Sequence, residues 1–199
     1  APSASSNSGA QYLDAASLAN EAHEAVRNES IGLIVATSGG WTSLSLLPHL
    51  DMELLAKHPT AFMGYSDLTV LLNVITSRTG MITYLGPMIL PEFGEYGGIW
   101  PFTRNSFLRA ITAKPGDHWQ IENAPVWTDE MLPWETADSR VRTGTSHSDP
   151  PRTLRPGFGD GYLWGGSIRS LALLAGTPYW PCPSGQSVLA FEDEGMSPD

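Results

Sequence analysis

At 199 residues the chain is long enough for one sizeable domain or two small ones built around a real core. Its 11 Lys+Arg against 21 Asp+Glu give a net charge of −10, the wrong sign for tracking a nucleic-acid backbone or an anionic membrane surface. The single cysteine, Cys182, excludes an intramolecular disulfide framework and a cysteine-based zinc site, and a cytoplasmic setting is expected. No apolar run approaches the about 18 residues of a membrane helix, and residues 1–9 form a polar Ser/Asn/Ala stretch without a signal-peptide pattern. The sequence has no initiator Met and stops at Ser197-Pro198-Asp199, directly after an apolar run, so it reads as a piece of a longer protein.

In chain order, Ala15, Leu18, Ala19, Ala22 and Val26 recur at helical spacing and predict a helix over 14–28. Residues 31–36 are a continuous apolar run, the pattern of a strand buried on both faces of a parallel sheet, and Thr37-Ser38-Gly39-Gly40 ends it. A second helix is expected over 43–57, with Pro48 tolerated only in a first turn. Residues 60–65 predict a strand, and 67–78 a helix whose Leu68, Leu71, Leu72 and Ile75 share a face, with Gly80 past its end. Helix and strand alternating in this way predict an α/β fold. From Lys114 the composition shifts to Trp, Pro, Asp and Arg, which places a domain change near residue 113 and separates an α/β domain (1–113) from a second domain (114–199). Within the second part, Ile168, Leu171, Leu173 and Leu174 suggest a short helix, and residues 187–191 a strand ending at Glu192.

The chemistry concentrates at Gly64-Tyr65-Ser66-Asp67, which sets a serine between a buried strand and a helix. Such a junction exposes Oγ at the sheet's C-terminal edge, and the helix N-terminus favours developing negative charge. The pattern lacks the last glycine of the Gly-x-Ser-x-Gly elbow. Ser66 as a plain helix cap, with Asp67 in the first turn, is the alternative on these residues alone. Neither a metal constellation nor a phosphate-cradling glycine motif is present, so no cofactor or metal is expected.

Several further segments stand in a recognisable order: Gly39-Gly40, Leu46-Leu47-Pro48-His49-Leu50-Asp51, the Ser66 segment, Leu85-Gly86-Pro87, Gly165-Gly166, Gly176-Thr177-Pro178 and Phe191-Glu192-Asp193. Together they resemble the LD-carboxypeptidases, a serine peptidase family. The tryptophan-rich stretch 126–134 is similar to the branch containing microcin C self-immunity proteins. The resemblance implies a Rossmann-like N-terminal sheet domain and a smaller, mostly β C-terminal domain. It also implies a Ser-Glu-His triad hydrolysing an amide of a small peptide, such as a muropeptide LD bond, or of a peptidyl-nucleotide conjugate. Ser66 would be the nucleophile and Glu192 the triad carboxylate, with Glu194 as its rival. The N–H groups of Asp67 and of Gly39-Gly40 would form the oxyanion hole, and Trp134 would stack on the substrate's aromatic part. The resemblance allows a homodimer.

Two departures stand out. The chain ends seven residues after Glu192, none of His23, His49, His58, His118 or His147 matches the triad histidine's motif, and no catalytic histidine is assigned. Ser167 stands where the family has Asn after the glycine pair. The arginines between 140 and 155 are candidates for pairing a substrate carboxylate or phosphate, or are simply solvated. Trp119, Trp127 and Trp164 are equally candidates for packing. An α/β-hydrolase esterase, and a binding module that has lost the triad, remain the rival readings.

Overall fold

The computed structural model describes residues 14–133, 139–146, 151–182 and 185–193. They form two compact units, one from the residues up to Met88 together with those from Gly159 onward, the other Ile89–Phe158.

The first unit opens with α1 (Ala15–Arg27), started by Asp14, whose Oδ1 accepts the Ser17 N–H at 2.8 Å. Strands β1 (Leu33–Val35), β2 (Ala61–Gly64) and β3 (Tyr84–Leu85) form a parallel sheet in that order, with Leu33 opposite Ala61 and Met63 opposite Tyr84. The fold is α/β. The helix expected over 43–57 is broken into α2 (Ser43–Leu46), a 3-10 turn Leu47–His49 and α3 (Met52–Lys57). Pro48 explains the break: without an N–H it fits the first turn of the 3-10 segment, and Leu50 then swings to extended backbone at ψ 126°. Asp51 restarts the helix by accepting the Leu54 N–H at 2.9 Å.

A 3-10 turn, Ser66–Leu68, leads into α4 (Thr69–Thr79), which Gly80 ends in left-handed backbone at φ +74°. Val70, Leu71, Leu72, Val74 and Ile75 are all buried, more than one stripe, because α4 packs against β2 and β3 as well as elements from the end of the chain. Those elements are β6 (Tyr162–Ser167), α6 (Ile168–Ala172) and β7 (Ser187–Glu192), with β7 parallel to β6 and Ser167 opposite Glu192. Leu171 and Leu174 join Val26, Leu55, Phe62 and the α4 residues in one core. The change of composition near residue 113 therefore falls inside the second unit, and residues from Gly159 onward pack with the first. The physical tie is Asn73, an amide among the buried apolar side chains of α4. Its Nδ2 donates to the carbonyls of Thr69 (2.8 Å) and Gly165 (2.7 Å), and its Oδ1 accepts the Gly165 N–H.

The second unit, Ile89–Phe158, holds a π-helical turn Ile89–Phe93, helix α5 (Pro101–Thr112) and an antiparallel pair, β4 (Val126–Trp127) with β5 (Thr145–Ser146). Helix α5 went unread in the sequence, although Pro101 in its first turn is a start signal. Phe93 and Phe107 meet edge to face with ring centres 5.1 Å apart. Among the described residues no helix is long and apolar enough to cross a membrane.

Candidate active site

The β2–α4 junction builds the site. Tyr65 is extended, and Ser66 then turns to φ +57°, making it the non-glycine residue held in left-handed backbone among those described. That conformation costs about 1–3 kcal/mol for a residue with a Cβ and persists only where the surroundings enforce it. Gly64 shows the enforcement, since a Cβ there would stand 2.8 Å from Leu68 Cγ and 3.1 Å from Ala36 Cβ. The turn is tight because α4 closes directly on the sheet. Ser66 is half-buried, caps no helix, and its hydroxyl has no hydrogen-bond partner among the described residues. The capping role open on the sequence is thus not what the serine does here.

Two neighbours complete the junction. A Cβ on Gly39 would lie 3.1 Å from Ser66 Oγ, so the backbone of the Gly39-Gly40 loop runs against the hydroxyl. Asp67, 3% exposed, turns its carboxylate the other way, and Oδ2 accepts the N–H groups of Thr42 and Ser43, each at 2.9 Å. The first bond of the 3-10 turn runs from Leu68 N–H to the Tyr65 carbonyl, so the Asp67 N–H precedes the helical ladder and is one of the donors that a helix start leaves unsatisfied. A buried aspartate side chain bonded to Thr42 and Ser43 was not read from the sequence, because nothing in a Gly-x-Ser-Asp pattern tells which way the carboxylate turns.

Glu192 ends β7 opposite Ser167. The Ser167 N–H donates to Thr69 Oγ1 at 3.0 Å, and Thr69 opens α4 three residues after Ser66, so the strand pair carrying Glu192 is fastened beside the start of the serine's helix. Gly166 makes this approach feasible: its φ is +120°, and a Cβ would meet Thr69 Oγ1 at 2.6 Å. Glu192 itself is exposed, and the adjacent Asp193 pairs with Arg169 at 3.4 Å. Trp134, Glu194 and His147 lie outside the described residues.

Among the described residues no histidine hydrogen-bonds Ser66. His23 is buried in α1, where Nε2 accepts the Asp51 N–H at 3.0 Å; His49 and His118 are exposed. No group of three or more His, Cys, Asp or Glu side chains suited to a metal ion occurs among the described residues. Two of the arginines singled out for substrate anions are engaged internally. Arg142 Nε donates to Glu95 Oε2 at 2.6 Å and its terminal nitrogen to the Pro91 carbonyl at 3.1 Å. Arg140 forks onto Glu130, and that contact, with the Thr143 N–H, holds the Glu130 carboxyl down to about 2. Trp164 packs edge to face with Trp180 and Phe191, each 6.0 Å away.

A strand, a tight turn and a helix thus present the Ser66 hydroxyl, with a glycine loop against it. Residues 3–86, which carry β1, the glycine loop, β2, Ser66 and α4, match the LD-carboxypeptidase N-terminal domain. Over that stretch the chain belongs to the LD-carboxypeptidase family. It is 32% identical over 179 residues to the microcin C7 self-immunity protein MccF of Escherichia coli, covering 90% of this chain and 52% of that protein. Among solved structures, an MccF-like protein from Bacillus anthracis superposes with a TM-score of 0.79 at 31% identity, over 90% of this chain and 52% of that one. MccF in complex with aspartyl sulfamoyl adenosine gives 0.74 at 30% identity, over 89% and 52% respectively. The chain thus spans about half the length of the relatives it matches.

Proposed function

We propose that this LD-carboxypeptidase-family chain carries the nucleophile of a serine peptidase that hydrolyses an amide in a small peptide or a peptidyl-nucleotide conjugate. The observation that carries the reading is Ser66, held at φ +57° between β2 and α4 with its hydroxyl against the backbone of Gly39 and unbonded among the described residues. In this reading Oγ attacks the scissile carbonyl, and the oxyanion that forms is met by the N–H of Asp67 and those of the Gly39-Gly40 loop. Glu192 is the carboxylate that orients the general base, itself a histidine of the full-length protein. Trp134 serves as an aromatic platform for the substrate's base. The bound aspartyl sulfamoyl adenosine of MccF supports the peptidyl-nucleotide class, and the similar muramoyltetrapeptide carboxypeptidase of Oxalobacter formigenes supports the muropeptide one. No cofactor or metal enters the reaction as proposed.

The test is Ser66→Ala in the full-length protein, assayed on aspartyl sulfamoyl adenosine and on an L,D-linked tetrapeptide. Loss of a triad nucleophile lowers kcat by up to about 10⁶-fold. Cleavage of either substrate by the variant at the wild-type rate would overturn the reading. Cleavage by the wild type of the tetrapeptide alone would keep the serine and move the substrate to the cell-wall class.

A further inference from the structure

In the proposed reaction the buried carboxylate of Asp67 has no role in attack or proton transfer, yet it makes two hydrogen bonds across 24 and 25 residues of sequence, both through one oxygen. Their donors, Thr42 and Ser43, immediately follow the Gly39-Gly40-Trp41 loop. Helix α2 begins there without any side-chain cap of its own. It is only four residues long, too short to hold its start by cooperative helix formation, so the loop's position depends on what its first N–H groups find. What they find is the side chain of the residue whose own backbone N–H adjoins the nucleophile. Gly40 lies on the same path: a Cβ there would stand 4.0 Å from the same Oδ2.

We infer that Asp67 is a positioning residue: its carboxylate fixes the glycine loop relative to Ser66, so that the loop N–H and the Asp67 N–H converge on one oxyanion. One residue thereby contributes a donor through its backbone and orients the opposing donors through its side chain. Oxyanion stabilisation depends on donors placed before charge develops, and a misplacement of about 1 Å is worth roughly a hundredfold in rate. The geometry also fixes what a substitute must do. Both N–H groups go to one oxygen, so a carboxamide oxygen in that place can accept both, whereas a methyl accepts neither and a serine hydroxyl is too short to reach both.

This inference rests on the proposed role of Ser66, and the experiment separates the two. In the full-length protein, Asp67→Ala and Asp67→Ser are each expected to lower kcat on aspartyl sulfamoyl adenosine about a hundredfold, with KM within about threefold, since only the transition state carries the oxyanion. Asp67→Asn is expected to restore kcat to within about tenfold of wild type. The affinity for a boronate analogue of the substrate, which presents a tetrahedral anion, should fall in step with kcat, and a merely structural role would not produce that match. A kcat within about threefold of wild type in whichever of the alanine and serine variants melts cooperatively overturns the inference. So does an asparagine variant as damaged as alanine while still folded. If Ser66→Ala retains full activity, the nucleophile assignment fails first, and this one falls with it.

Discussion

The unit that carries Ser66 and the unit formed by Ile89–Phe158 are stabilised by different means. In the first, Leu55, Val70, Val74, Ile75 and Leu174 are wholly or almost wholly removed from water, each such side chain contributing about 1.5–3 kcal/mol, and polar bonds are spent on fixing loops. In the second, no hydrophobic residue among those described is fully buried, and the contacts include the Glu95–Arg142 and Glu130–Arg140 ion pairs and an edge-to-face phenylalanine pair. A strained serine persists only in surroundings that do not yield. The apolar unit supplies such surroundings.

That contrast can be broken by substitution. Leu174→Ala removes a side chain with no exposed surface from the first unit's core and should lower global stability by about 2–5 kcal/mol, read as a large drop in melting temperature. A shift corresponding to well under 1 kcal/mol would mean that the core does not govern that unit.

Arg142→Ala should act differently. It strips the partner from a Glu95 side chain that is only 5% exposed, at a cost of about 1–3 kcal/mol, but the loss should be confined to residues 89–158. Hydrogen exchange would show faster amides around Glu95 and Arg142, with amides of β2 and α4 unchanged. Equal acceleration in both regions would erase the distinction.

The smallest expected effect is a pH dependence inside the first unit. Burial, then the Arg27 charge, pulls the His23 imidazole below its usual range, against the opposing influence of Asp51. Its neutral Nε2 accepts the N–H of Asp51, which starts α3. Because the folded pKa lies below the ordinary value of about 6.5, the unfolded chain binds more protons between the two. The contribution is therefore full above about pH 6.5 and is lost as pH falls through the folded pKa. Between pH 7.5 and 5.5 the melting temperature of the wild type should fall more steeply than that of His23→Gln; parallel slopes would remove His23 from the account.

The elements with clear apolar periodicity, α1, β1, β2 and α4, were legible in the sequence, because a buried face imposes its spacing on any chain that must cover it. The strand-to-helix setting of Ser66 followed from those two periods meeting at Gly64-Tyr65-Ser66. The break at Pro48 was half legible: the proline forbids one continuous helix, but where the chain resumes is set by Asp51. Helix α5, without a buried face, left little for periodicity to reveal. What only the tertiary structure decided is long-range and polar. The return of β6 and β7 to α4 through Asn73, the pairing of Arg142 with Glu95, and the turn of the Asp67 carboxylate onto Thr42 and Ser43 join residues far apart in the chain. A hydrogen bond of this kind depends on where two backbones arrive in space, and local residue spacing carries no record of that.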